Sequence, residues 1–304
     1  MRLEDADPLV DEDRQLALYV SYELAYRGFS GVDDAWEWDS GQLGLRRRLE
    51  VEFESALRQA VPPAEPGADA RAELLGLADG GGGPSLSQFM ADQGTLDQMR
   101  ELAVHRSAYQ LKEADPHTWM LPRLTGRAKA AMVRIQADEY GEGRPAAMHS
   151  ALFGDTMVAL GLDPTYGAYL DLIPAVTLAT VNLISMLGLH RRLRGALVGH
   201  LALFEMTSVG PMSRYSRATQ RLGVGKKAAR FYDVHVTADA EHRQVALDQM
   251  VAGLLESEPE LAPDVIDGAR WLNELERRFS AHVLGAWRRD RSSLLRPEQL
   301  RAAA

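Results

Sequence analysis

Apolar residues recur every three or four positions along most of this 304-residue chain, and alternating β-branched runs bounded by turn residues are almost absent. A face repeated at the helical period is buried only when the segment is helical, so the pattern predicts an all-α fold. Over residues 11–26, Leu16, Tyr19, Val20 and Leu24 are spaced for one buried face, and Gly28 stops the helix. Further helices are expected over 43–61, 87–114, 126–140, 146–160, 166–188, 193–223, 226–257 and 263–287. Residues 62–84 differ: Pro62-Pro63, Pro66-Gly67 and the glycines at 80 to 83 supply turns and read as a mobile loop. The residues before that loop make only a helix pair, too little for a core of their own. Residues 1–304 are therefore read as one domain with a flexible loop at about 62–84.

A chain of this length buries enough surface to fold without a staple, so a metal site here is expected to be functional. The absence of cysteine excludes disulfides, thiolate zinc, iron–sulfur clusters and a cysteine nucleophile. Metal chemistry is left to carboxylates and imidazoles. The formal net charge of −9 gives no footprint for nucleic acid. The acidic start lacks the pattern of a secretory signal, so a cytoplasmic protein is expected. Residues 172–189 are apolar enough to suggest a membrane span. They contain Pro174, Thr177, Thr180, Asn182 and Ser185 and run into His190, Arg191 and Arg192, so a buried bundle helix is expected and no membrane partner. No dinucleotide fingerprint is present, so reducing equivalents are expected from an external electron donor.

The sharpest local signal lies in Phe231-Tyr-Asp-Val-His-Val-Thr-Ala-Asp-Ala-Glu-His242. His235, Asp239 and His242 stand at i, i+4 and i+7, an arc of roughly 60° on one helix. That stripe suits a bundle-core metal site; the alternative is a polar face in which Asp239 orients a histidine. Glu205 sits in the apolar stretch Leu201-Ala-Leu-Phe-Glu-Met206, where a carboxylate is costly unless paired. A metal ion, a salt bridge to an arginine such as Arg214, or exposure at the helix edge would each answer it. His149 follows the Gly-rich turn at 141–143, with Glu139 and Glu142 upstream, and Glu113 lies near the end of its helix; each alone reads as a surface or capping residue. Together, four carboxylates and three imidazoles without thiolate are the donor set of a dinuclear non-haem iron site. The repeated Glu-x-x-His pair of ferritin-like bundles is missing.

Four segments carry a resemblance to a known family. They are Tyr109-Gln-Leu-Lys-Glu-Ala-Asp-Pro-His117; Gln136-Ala-Asp-Glu-Tyr-Gly141 with Met148-His-Ser-Ala-Leu-Phe153; Gly199-His-Leu-Ala-Leu-Phe-Glu-Met-Thr-Ser208; and the His235/Asp239/His242 helix. The chain resembles the haem-oxygenase-like diiron oxidases, iron-containing redox enzymes, over most of residues 11–287. The resemblance implies a haem-oxygenase-like helical bundle with a non-haem diiron site in its core and no haem. It implies Glu113, His149, Glu205, His235, Asp239 and His242 as ligands, with Glu139, in preference to Glu142, as an additional movable carboxylate. It further implies two Fe(II) ions per chain, O2 as co-substrate, an external reductant, a small-molecule substrate, and compatibility with a homodimer. Among the family's reactions, N-oxygenation of an amino-acid-derived amine is the first expectation, because the ligand spacing resembles that branch. Oxidative C–C cleavage and desaturation are the alternatives. A metal-independent protein of the same fold, similar to cofactor synthases or thiaminases, would keep its activity in chelator. A non-catalytic interaction protein would be indifferent to loss of His235 or His242.

Overall fold

The structure, a computed structural model, describes residues 7–80 and 85–302, and among these there is no β-strand. The helices are α1 (Glu12–Glu23), α2 (Ser40–Ala60), α3 (Ala70–Asp79), α4 (Leu86–Asp92), α5 (Leu96–Gln110), α6 (Asp115–Thr118), α7 (Gly126–Glu139), α8 (His149–Ala159), α9 (Ala175–Leu189), α10 (Arg194–Arg221), α11 (Lys226–Gln244), α12 (Ala252–Ser257), α13 (Ala262–Trp287) and α14 (Pro297–Ala302). The helix α10 is the central element and packs against both α11 and α13. Contact with α13 is backbone to backbone: a Cβ on Gly199 would fall 1.8 Å from the Val265 carbonyl oxygen, and one on Gly268 would fall 1.9 Å from that of Ala196. Only glycine lets the two axes approach so closely.

Local chemistry sets most of the boundaries. Asp11 caps α1 by accepting from the Arg14 amide at 2.9 Å, and Asp39 caps α2 through Gln42 at 2.8 Å. The buried face of α1 is Leu18, Tyr19 and Tyr22, while Leu16, expected inside, is exposed. The helix expected over 87–114 is divided. Gln93 and Gly94 end α4, and Thr95 with Gln98 forms a capping box that starts α5. The helix expected from 166 begins only at Ala175, because Pro174 occupies the N-cap and turns precede it. The segment over 226–257 runs without a break, but passes through a π-helical turn, Val245–Val251, just after His242.

Residues 62–84 correct the expectation of a loop. Asp69 caps α3 with both the Arg71 and Ala72 amides, and fully buried Leu74 seats α3 against α13 and α10. Proline and glycine pairs obscured a helix of ten residues lying between them. Residues 81–84, the rest of that expected loop, lie outside the described residues, as do residues 1–6 of the acidic start. No helix among the described residues is long and apolar enough to cross a membrane. The segment that most resembled a span is α9, which is buried in the protein along nearly its whole length.

Candidate metal centre

Five stretches of chain deliver the seven candidate side chains to one place. Glu113 follows α5, and Ala114 beside it is held at φ 78°, a left-handed backbone that alanine adopts only under constraint. Glu139 is the last residue of α7. Gly141 then turns the chain at φ 63°, where a Cβ would meet the Ala147 backbone at 2.5 Å, and α8 begins with His149. The tight turn sets His149 Nδ1 2.7 Å from Glu139 Oε2. Glu205 comes from the middle of α10, while α11 contributes His235, Asp239 and His242. All seven are buried.

The ligand atoms fall into two groups, each within 4.8 Å mutually: Glu113, Glu139, His149 and His235 form one, and Glu139, Asp239 and His242 the other. Glu205 joins the second, with Oε2 3.4 Å from His242 Nδ1. Glu139 belongs to both, since its Oε1 lies 3.8 Å from His242 Nδ1 while its Oε2 faces His149. Glu142 is elsewhere, exposed and paired with Arg144. Among the described residues Glu205 is paired with His242 and with no arginine, Arg214 included, so the salt-bridge alternative fails. Asp239 does not orient a histidine either, because it lies 3.7 Å from His242 Nδ1 and both its oxygens lack a hydrogen bond.

Whether these residues suit a metal ion is answered by their unmet polar atoms. Glu113 Oε2, Glu139 Oε2, His149 Nδ1, both Asp239 oxygens and His242 Nδ1 are buried without a hydrogen-bond partner; the close Glu139–His149 pair lacks hydrogen-bond alignment. An unpaired buried polar atom costs about 1–3 kcal/mol, and a cation is the partner that answers lone pairs from carboxylates and imidazoles together. The donor set is oxygen and nitrogen only, which suits iron or manganese.

The surrounding groups aim the imidazoles. His235 Nδ1–H donates to the Phe231 carbonyl at 2.8 Å, leaving Nε2 toward Glu113 at 3.5 Å. Asp138 takes a hydrogen bond from His242 Nε2 at 2.8 Å, leaving Nδ1 toward the carboxylates. Without a cation the cluster holds protons. Burial pushes Glu139 up to about 7 and Asp239 to about 6, and also raises Glu113 and Glu205. Burial opposes charge on His235 and His242, but the surrounding carboxylates outweigh it and push them up to about 10 and about 9. His149 is pushed down to about 4 by burial and by His235.

A small inner chamber beside the cluster is lined by Tyr109, His117, Gln136 and Phe204 together with four of the carboxylates. Tyr109 and Phe204 also line a second cavity of about 630 Å3, on the other side of that wall. Met206, Tyr215 and Tyr232 line this larger cavity, while α9 contributes to neither. Sequence reasoning missed Asp138, Tyr109 and Phe204. All three lie inside the segments already singled out, but no periodicity distinguishes Asp138 from an ordinary helix-face acid.

The chain belongs to the iron-containing redox enzyme family, whose sequence pattern matches residues 100–277 and so spans every candidate ligand. Its helical architecture is that family's haem-oxygenase-like all-α fold. It is also 24% identical over 159 residues to the nitrosourea synthase of Streptomyces achromogenes subsp. streptozoticus. That match covers 52% of this chain and 34% of the synthase, about a third of the relative's length.

Proposed function

We propose that this chain is an O2-dependent oxidoreductase that holds two iron ions in the cluster just described and oxidises a small organic amine at nitrogen. The observation that carries this reading is the set of buried, unpartnered ligand atoms arranged as two groups around a shared Glu139. Glu113, His149 and His235 would hold one ion and Glu205, Asp239 and His242 the other, with Glu139 placed between them. When bound, iron supplies the one-electron steps by which O2 is reduced and substrate oxidised.

The protein's own residues prepare that chemistry. Phe231 and Asp138 hold the outer N–H of the two α11 imidazoles, so that once the inner nitrogen gives up its proton its lone pair faces the carboxylates. The buried walls limit solvent, and the larger cavity beyond Tyr109 and Phe204 has the size and mixed polarity of a small-molecule site. Oxidation at nitrogen is supported by the similarity to a nitrosourea synthase, because a nitrosourea carries oxygen on nitrogen. An external donor supplies electrons.

Anaerobic titration of metal-stripped protein with Fe(II), followed by O2 mixing with optical and Mössbauer detection, tests this reading. Wild type is expected to take up about two irons per chain and give a transient visible band, and His235→Ala to lose both. Equal, single-iron uptake by the two proteins would sink it. Mass spectrometry with 18O2 then reads whether label reaches nitrogen in candidate amines.

A further inference from the structure

One donor beside the cluster is not answered by a metal ion. The unmet atoms of the carboxylates lining the inner chamber, Glu113 Oε2, Glu139 Oε2 and both Asp239 oxygens, are acceptors, and a cation satisfies them. Gln136, 3% exposed, lines the same chamber, and its Nε2 is buried without a hydrogen-bond partner. An N–H needs a lone pair, which a cation does not offer. The other donor groups on the chamber wall are engaged. Tyr109 Oη lies 3.5 Å from His117 Nδ1, His117 Nε2 lies 3.4 Å from His200 Nδ1, and His235 is held between Phe231 and Glu113. Among the described residues lining the chamber, Gln136 thus brings the one unmatched donor.

The carboxamide is oriented from behind. Thr118 Oγ1 donates to Gln136 Oε1 at 3.1 Å and lies 2.7 Å from Tyr140 Oη, which donates to Asp115 Oδ1 at 2.9 Å. Arg27 meets the other Asp115 oxygen at 3.5 Å. Asp115 and Thr118 belong to α6, directly after the left-handed Ala114 that follows Glu113, while Gln136 and Tyr140 flank Glu139. The network therefore joins the two turns that deliver Glu113 and Glu139, and it occupies the amide oxygen so that the NH2 is the branch left over. Size limits what can meet it. The chamber has room of about 10 Å3, near the least that takes one water-sized group, against about 630 Å3 beyond Tyr109 and Phe204. An organic substrate belongs to the larger space, and a ligand of about two atoms to the smaller.

We infer that Gln136 is the residue that holds O2 in the inner chamber, donating a hydrogen bond from Nε2 to one of its oxygens. The bond is weak to neutral O2 and strengthens as electrons reach the ligand and its oxygens gain charge, so it favours the reduced ligand over the entering one. Thr118 and Tyr140 are positioning residues that act through the carboxamide. The inference rests on the iron-dependent function proposed above.

Nitric oxide, a ligand of the size of O2, tests this on the full-length protein under argon. Fe(II) uptake of each variant is first measured by calorimetry, and the N–O stretch is then read by infrared spectroscopy in H2O and in D2O. Wild type is expected to show a stretch that shifts in D2O. Gln136→Leu is expected to keep iron uptake, lose the D2O shift and bind nitric oxide roughly tenfold more weakly. Thr118→Val, close in shape to threonine, releases the carboxamide oxygen and is expected to lower the shift and the affinity severalfold, while Thr118→Ser behaves as wild type. A stretch and affinity unchanged in Gln136→Leu overturn the inference, and so does loss of iron from that variant, which would make Gln136 a support for the ligands instead. Should Gln136→Leu fail to fold, Thr118→Val decides, and a full D2O shift there overturns the inference. No iron uptake by wild type sinks the iron reading and this inference together; normal uptake with a nitric oxide signal indifferent to Gln136 sinks this inference alone.

Discussion

Two regions of this molecule bury carboxylates and imidazoles together, and they do so in opposite ways. At the N-terminal part of α5, Glu101 accepts from Trp287 Nε1 at 2.7 Å, from the Ser293 amide at 2.7 Å and from Ser292 at 2.7 Å, with the Ser293 hydroxyl as well. His105, one turn on, has Thr177 at 2.8 Å on one nitrogen and Ser293 at 2.8 Å on the other. Every polar atom there is answered, and burial keeps His105 neutral, with its pKa down at about 3. Beyond the other end of α5, Glu113 enters a cluster whose oxygens and nitrogens face one another unanswered. Burial therefore does not distinguish structural from functional polar groups here. The hydrogen-bond account does, because a satisfied network stabilises the fold while an unsatisfied one waits for a ligand.

The comparison breaks if substitutions in the two regions behave alike. Glu139→Gln has the largest expected effect: it should cut Fe(II) affinity by about two orders of magnitude or more while raising the melting temperature of the metal-free protein near about pH 8, since it removes a carboxylate that burial disfavours in its charged form. Calorimetric Fe(II) titration and thermal melts of one preparation check both signs. Glu101→Ala should do the reverse, costing about 3 kcal/mol in chemical denaturation by stranding the Trp287 and Ser293 donors, with iron stoichiometry intact. Loss of iron in that variant would make the satisfied network part of the site. Asp138→Asn removes only the acceptor that aims His242, so a roughly tenfold loss of iron affinity is expected with little change in folding.

The smallest effect is in pH. For Glu139 and Asp239, raised in the fold, the protonated form stabilises the metal-free protein, and that contribution declines as pH climbs through about 6 and 7. For His235 and His242, also raised, stabilisation is complete below the ordinary histidine value and is lost through about 9 and 10. His149 and His105, both depressed, contribute only on the acid side. Above about pH 6.5 the cluster therefore makes metal-free stability fall with rising pH, while His105, depressed to about 3, contributes no slope there. Fe(II) under argon should flatten the curve, because a cation favours the deprotonated carboxylates and neutral imidazoles. A metal-free protein whose melting temperature rises between about pH 7 and 9 would contradict the protonation assigned to the cluster.

Helical periodicity and the absence of cysteine, both local properties of the chain, set the all-α class and limited metal chemistry to oxygen and nitrogen donors. The i, i+4, i+7 stripe on α11 was legible because helix geometry alone puts His235, Asp239 and His242 on one face. Tertiary structure decided the rest. Glu139 and Glu142 are three residues apart and indistinguishable as letters; the Gly141 turn carries one into the cluster and leaves the other in solvent with Arg144. Arg214 and Glu205 share a helix and opposite charge, yet Glu205 lies against His242 and Arg214 lines a cavity. The helix α3 was hidden because proline and glycine report only local stiffness, whereas Leu74 gains its place from helices more than a hundred residues away in sequence. Sequence specifies what a residue can do chemically. Which lone pairs are left unanswered depends on distances between segments, and those are set only when the helices pack.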